Sequence, residues 1–198
     1  AEIDAGATFN SMIRSAWPDV KLGFRWYCWN VQPFDTDYPE FFPQPGVKEF
    51  CEEARQGGYL VMPYVNGRLW DQGLRSFRYA KRDCCADEEG KPVIDKYGPR
   101  SFGVMCPYAE DWQLTLVDMG ADVIEGNRAN AIYYDQISCS RPKLSFNPSH
   151  GHPLGGGAWW AEGYRKALTE IHERFSAAGV PVTSEGAAES WIDLVDGH

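Results

Sequence analysis

No apolar run in this sequence approaches the ~20 residues that a membrane-spanning helix requires. The first residues, Ala1-Glu2-Ile3-Asp4, lack the basic segment and apolar stretch of a secretory signal. Positive charge is scarce as well. With 19 Lys and Arg against 28 Asp and Glu, the net charge is −9, which argues against nucleic acid or an anionic membrane as the main partner. Cysteine is too sparse for a disulfide framework: six residues in 198, two of them adjacent at Cys84-Cys85, are expected to be mostly free thiols. No glycine-rich phosphate turn follows any β-like segment, and the run Gly155-Gly156-Gly157 lacks the Gly-Lys-Ser/Thr ending of a phosphate loop. There is no initiator methionine and no short repeat. The chain is therefore expected to be an excerpt of a longer protein. A removed signal sequence stays compatible with it, and the compartment is open.

What is present is a 43% hydrophobic chain, enough for one domain with a sizeable core. Aromatics reach 14%, a composition suited to stacking on sugar faces as well as to core packing. Strand-like and helix-like segments alternate throughout. A first helix is expected over 5–17, closed by Pro18, followed by an aromatic strand over Lys21 to Asn30. Val47, Phe50, Cys51 and Ala54 mark one face of a helix that Gly57-Gly58 ends. Tyr59 to Asn66 reads as the next strand. Trp112, Leu116, Met119 and Val123 mark another helix, and Ala129 to Asp135 another strand. Trp160, Tyr164, Leu168, Ile171 and Phe175 mark the longest helix, before a last strand from Val180 toward Glu185.

Strands separated by helices imply parallel β-α-β units. Four strands cannot close a barrel that needs eight and ~250 residues, so the expected fold is α/β: a partial (β/α)8 TIM barrel, with partner strands supplied by the parent chain. An open doubly wound sheet is the alternative. Half a barrel leaves two unpaired edges, so the isolated excerpt is not expected to fold stably. The connections after the strands are long, about 16, 40 and 20 residues after Asn30, Asn66 and Asp135, against the usual two to six. Within the longest, Asp87 to Pro92 resembles a surface turn at the tip of a small hairpin.

Two consecutive strands stop on carboxylates, at Asp135 and Glu185. Strand ends are where such barrels place catalytic groups, and neighbouring strands ~4.8 Å apart bring the two acids near the spacing of a retaining glycosidase. Asp135 is the candidate nucleophile and Glu185 the candidate acid/base. Alternatively, Asp135 caps a turn and Glu185 pairs with an arginine. Glu189 is the rival acid, unless it merely opens a helix. Tyr133 shares a strand face with Asp135. Tyr64, Asn66, Arg68, Trp70 and Asp71 offer hydroxyl, amide, guanidinium, indole and carboxylate groups for sugar recognition, with an Arg68–Asp71 ion pair as the structural alternative. Trp26 and Trp29 are candidate sugar platforms, although their spacing sends them to opposite faces. His150 and His152 are read as loop residues positioned against substrate. A metal centre built from this pair with Asp135 and Cys139 is the competing reading, but no ligand set of known spacing is complete; neither metal nor cofactor is expected.

The stretches Phe34-Asp35-Thr36-Asp37-Tyr38-Pro39, PYVNGRLWD (63–71), MCPYAEDWQ (105–113), YYDQIS (133–138), HGHPLGGG (150–157) and TSEGAAE (183–189) resemble, in this order, an uncharacterised bacterial family of glycoside-hydrolase-like barrels. More distantly, the chain looks like the barrels of endo-α-N-acetylgalactosaminidases and of the α-galactosidase/α-glucosidase superfamily. The resemblance implies a retaining glycosidase for α-linked sugars, with Asp135 as nucleophile on barrel strand four. It makes the strands here numbers two to five. The endo-α-N-acetylgalactosaminidases imply Glu185 as acid/base, whereas α-galactosidases place that group on a later strand, outside this chain. A carbohydrate-binding barrel without catalysis is the remaining reading.

Overall fold

A computed structural model describes residues 11, 12, 15–20, 22–176, 178–186 and 189–197. Most of the helix expected over 5–17 lies outside the described residues. A parallel sheet takes the order β1-β2-β6-β7, formed by β1 (Gly23–Trp26), β2 (Leu60–Asn66), β6 (Ile132–Asp135) and β7 (Val182–Ser184). All three pairings are parallel, with Asn66 opposite Asp135 and Tyr134 opposite Ser184. A parallel bridge from Thr183 to Gly197 covers the outer edge of β7.

The helices between these strands are amphipathic at the expected positions. In α1 (Val47–Gln56), Val47, Phe50, Cys51 and Ala54 are buried. It ends in a Schellman motif: Tyr59 N–H donates to the Ala54 carbonyl and Gly58 N–H to that of Arg55. The motif needs a left-handed residue, and Gly58, at φ +80°, supplies it without a Cβ penalty.

Later in the chain, α3 (Glu110–Ala121) packs on α4 (Trp159–Ser176). The Tyr134 hydroxyl crosses from β6 to donate to the Leu116 carbonyl of α3 over 2.7 Å. A side chain on Gly120 would meet that hydroxyl at 2.5 Å, so the glycine sets how closely helix and strand approach. β6 is buried on both faces, as a strand between helices and a filled interior must be. The fold is thus mixed α/β with a four-stranded parallel sheet, as expected of part of a (β/α) barrel.

The long connection after Asn66 departs from the expectation of a loop. It builds a second, antiparallel sheet in the order β3-β5-β4 from β3 (Leu69–Asp71), β4 (Ile94–Tyr97) and β5 (Arg100–Val104), with the short helix α2 (Phe77–Ala80) between β3 and β4. The expected hairpin tip over 87–92 is present, closed by an Ala86–Pro92 bridge and by Asp87 N–H to the Lys91 carbonyl. Leu69, Phe102 and Val104 of this sheet share one core with Tyr64, Val65 and Ile132 of the parallel sheet. Among the described residues, no helix is long and apolar enough to cross a membrane, and no two of the six cysteines are bridged.

Candidate active site

The strand ends converge on a cavity of about 430 Å³ lined by Asp135, Glu185, Phe34, Asp35, Arg68, Tyr97, Gln136, Cys139, Ser140, Arg141 and Lys143. Asp135 ends β6, and Glu185 follows β7 directly. Because the strands are parallel and in register, the two carboxyl groups face one another closely enough for Glu185 to raise the Asp135 acid. The neighbouring loops are latched together. Ser138 Oγ donates to the Glu185 and Gly186 carbonyls at 2.5 and 3.1 Å, and Ser184 Oγ donates to the Tyr134 carbonyl at 2.6 Å.

Asp135 is held from below by two phenols. Tyr64 donates to Oδ2 at 2.9 Å, and the Tyr133 hydroxyl lies 3.5 Å from Oδ1. Burial, together with the carboxyl of Glu185, pushes the Asp135 acid up to about 7, although the Tyr64 bond opposes this. Glu185 Oε2 accepts from Cys139 Sγ at 2.9 Å. Burial, followed by the bond to Glu185 and the charges of both acids, pushes that thiol up to about 12. The backbone departs from common geometry where it borders the cavity: Asp35 and Gln136 adopt φ +58° and +66°, conformations that side chains other than glycine rarely hold and that cluster at functional sites.

The cationic wall is tied to the antiparallel sheet through Asp95 of β4. Buried Arg68 pairs with Asp95 and donates to Gln136 Oε1 at 2.9 Å. Lys143 reaches the same Asp95 at 3.0 Å. Burial opposes ionisation of Asp95, but the bonds from Arg68 and Lys143 outweigh it and hold its acid below the ordinary carboxylate range. Gly67 makes this wall possible. A Cβ there would fall 2.4 Å from Ile137 Cγ1, and its N–H donates to the Asp135 carbonyl at 3.0 Å.

Several candidates from the sequence sit elsewhere. Trp29 is 1% exposed, donates to the Tyr64 carbonyl and stacks on Phe41, so it is core. Trp26 packs edge-on against Phe50 of α1. Trp70 donates to Ser76 and packs on Trp112. The aromatic faces at the cavity are instead Phe34, 49% exposed, and Tyr97. Asn66 accepts from the Arg68 and Leu69 N–H groups, shaping the turn between β2 and β3. Tyr64 and Tyr133 are buried behind Asp135, with the Arg25 guanidinium over the Tyr133 ring at 4.2 Å. The Arg68–Asp71 pair does not form: Asp71 pairs with Arg100 at 3.4 Å and accepts from Asp37 N–H. Glu189 is exposed and does not line the cavity.

The histidines also fall outside. His150 borders a separate cavity of about 530 Å³ with Arg82, Asp83 and Tyr108, while His152 is buried against Trp159. Among the described residues they cluster with Cys106 and not with Asp135 or Cys139, so a metal centre shared with Asp135 is not built. Asp35, Gln136 and Lys143 were missed as site residues. The quoted motifs contained the first two, but nothing in the spacing marked a cavity wall.

A family model described as "Domain of unknown function (DUF6259)" matches residues 12–198. A Bacteroides thetaiotaomicron protein named "Putative glycoside hydrolase" is 35% identical over 179 residues, covering 88% of this chain and 27% of that protein. "Putative glycoside hydrolase 22789" of Monosiga brevicollis is 27% identical over 205 residues, 90% of this chain and 17% of that protein. The chain thus spans about a quarter or less of the length of these relatives. Among solved structures, the ligand-free α-N-acetylgalactosaminidase NagBb of Bifidobacterium bifidum superposes with a TM-score of 0.77 at 15% identity, over 98% of this chain and 32% of that one. The Thermus thermophilus α-galactosidase TtGalA bound to stachyose gives 0.66 at 16% identity, over 96% of this chain and 38% of that one. At these identities the likeness concerns the fold.

Proposed function

The chain belongs to the DUF6259 family, and on that premise we propose that it carries the nucleophile and the acid/base of a retaining glycoside hydrolase for α-linked sugars. One observation carries this reading: Asp135 and Glu185, delivered by neighbouring parallel strands, face each other across one cavity. The α-galactosidase and α-N-acetylgalactosaminidase folds that resemble it support galactose-type sugars as the first substrates to test. In this reading the four parallel strands are barrel strands two to five, and the rest of the barrel comes from the parent chain.

The chemistry is a double displacement. Asp135, ionised, attacks the anomeric carbon through Oδ1, the oxygen with the weaker protein partner, while Tyr64 keeps Oδ2 in place. Glu185, protonated, gives its proton to the departing glycosidic oxygen as the C–O bond breaks. Glu185 then takes a proton from water, the water oxygen attacks the same carbon, and Asp135 is released as carboxylate. The raised Asp135 acid means that the resting pair can carry one proton on Asp135, which must pass to Glu185 before Asp135 attacks. Phe34 and Tyr97 offer the apolar faces for the ring, and Arg68 and Lys143 fix the polar wall.

The test is turnover of aryl α-galactosides and α-N-acetylgalactosaminides by the full-length protein, with the configuration of the first-formed product read by NMR. Retention is expected, and Asp135→Asn should lower kcat by roughly 10⁴-fold or more, the scale on which catalytic groups act. Inversion, or near-normal turnover by Asp135→Asn, overturns the assignment. Saturable sugar binding without any cleavage would favour the carbohydrate-binding alternative.

A further inference from the structure

Away from the carboxylates, Cys106 Sγ and one ring nitrogen each of His150 and His152 lie within 4.8 Å of one another. Cys106 follows β5, and both histidines sit in the connection between β6 and α4. The cysteine is fully buried and His152 is 6% exposed, while His150 borders the cavity of about 530 Å³.

The hydrogen bonds fix which nitrogen of each ring is bare. His150 Nε2 lies 2.9 Å from the Arg82 carbonyl. A carbonyl only accepts, so Nε2, which also lies 3.0 Å from Asn147 Nδ2, carries the proton, and Nδ1 is left as a buried lone pair beside the Cys106 thiol. His152 repeats the arrangement with the nitrogens exchanged. Nδ1 donates to the Pro153 carbonyl at 2.8 Å, and Nε2 is buried and unpartnered. Stacking on Trp159, at 3.9 Å and 8°, holds the His152 ring plane. A histidine that donates one N–H to a backbone carbonyl and aims its other nitrogen at a shared point is oriented as a metal ligand. Two bare, buried nitrogens beside a thiol otherwise leave polar groups unsatisfied at a cost of about 1–3 kcal/mol each.

We propose that Cys106, His150 and His152 form a binding site for a borderline-soft divalent cation, above all zinc, with Cys85 as fourth ligand. The thiol of Cys85 lies beside that of Cys106 and donates to the Met105 carbonyl at 3.8 Å, and its N–H is anchored on the Val104 carbonyl of β5. Zinc bonds of ~2.0–2.3 Å place tetrahedral ligand atoms ~3.3–3.8 Å apart. Cys106, His150 and His152 need only a small contraction to reach this, whereas Cys85 Sγ lies outside that group and must rotate toward it. Binding releases one proton from each thiol to solvent, with no change in oxidation state. Two thiolates and two neutral imidazoles then leave the site uncharged overall, which suits burial. The ion would fasten the antiparallel sheet to the loop that leads into α4, a structural role independent of the glycosidase reading.

The experiment uses the full-length protein, made without a histidine tag, reduced, stripped by chelator and titrated with cobalt(II) alone. About one cobalt per chain, a thiolate-to-cobalt charge-transfer band, and loss of that band on adding zinc are expected. Cys106→Ser should weaken binding by at least about ten-fold and shrink the band; His152→Ala should weaken binding comparably and leave the band. If either variant fails to fold, titration of the wild type still decides. A folded, reduced protein that takes up no stoichiometric cobalt, or whose cobalt spectrum lacks thiolate character, overturns the proposal. So does peptide mapping that finds Cys85 and Cys106 joined as a disulfide in the protein as isolated.

Discussion

The Tyr64 hydroxyl on β2 donates to Asp135 Oδ2 on the adjacent strand across 2.9 Å. It is also 3.2 Å from the Tyr38 hydroxyl, which donates to Asp35 Oδ1 at 3.0 Å. Burial, the largest influence, pushes both phenols upward, so both stay protonated. Two hydroxyl protons therefore serve three links: Asp135, the phenol–phenol contact and Asp35. The proton given to Asp135 is one that Tyr38 also competes for, and this couples Asp135 to a second cavity-lining acid.

Tyr64→Phe removes the bond that favours the ionised Asp135, so its acid should rise further. The low-pH limb of kcat/KM, which reports the free enzyme, is expected to move upward by about one pH unit, equivalent to ~1.4 kcal/mol. At pH 6 the variant should be roughly ten-fold slower, and by pH 9 it should approach the parent. A uniform loss at every pH would show that Tyr64 only packs.

The same raised acid makes a statement about stability. An unfolded aspartate titrates near ~3.9, whereas Asp135 in the fold is pushed up to about 7 by burial and by Glu185. Between these values the native state binds more protons than the unfolded one, so stability should fall as pH rises from about 4 to 7 and then level off. Asp135→Asn cannot ionise and should be more stable than the parent at pH 8, on the order of 1–3 kcal/mol, the usual scale of active-site trade-offs. The difference should vanish near pH 4. Denaturant unfolding of the full-length protein at both pH values checks the sign.

Cys139 is exposed, yet its thiol is pushed up to about 12, by burial first and then by Glu185. Reaction with iodoacetamide at pH 8 should therefore be slower than for an ordinary exposed thiol. Glu185→Gln removes the opposing charge and should accelerate labelling several-fold, read by mass of the modified peptide. Equal rates in parent and variant would separate the two side chains.

Gly67 tests the fit between the two sheets. Gly67→Ala places a methyl 2.4 Å from Ile137 Cγ1 and should cost about 1–3 kcal/mol, the range for overpacking. Adding Ile137→Ala opens the space, and the double variant should be less destabilised than the sum of the singles. Additive losses in thermal or denaturant unfolding would mean that the methyl is accommodated elsewhere.

Much of the parallel layer was legible because periodicity follows burial. Val47, Phe50, Cys51 and Ala54 repeat as a helix face and are buried as one, and the strand ending at Asp135 is apolar because it is covered on both sides. That Asp135 and Glu185 sit at the ends of neighbouring strands could be read from the sequence alone. The antiparallel sheet could not, since β3, β4 and β5 are short and lie within a connection rich in turns and charge. Partner choice was hidden for the same reason. Arg68 finds Asp95 only once that sheet has folded back, although Asp71 is nearer in sequence. The indoles misled because aromatic character does not tell a platform from a core residue; Trp29 is the second and Phe34 has the exposure of the first.

The wall carrying Arg68 is sewn to the floor by main-chain links: Gly67 N–H to Asp135, Met105 N–H to Arg68 and Asp71 N–H to Tyr38. A surface stitched in this way is fixed to the strand ends at three points among the described residues. In the proposed glycosidase, entry and departure of a sugar past it would follow diffusion rather than the opening of a gate, leaving bond-making at Asp135 to pace each cycle.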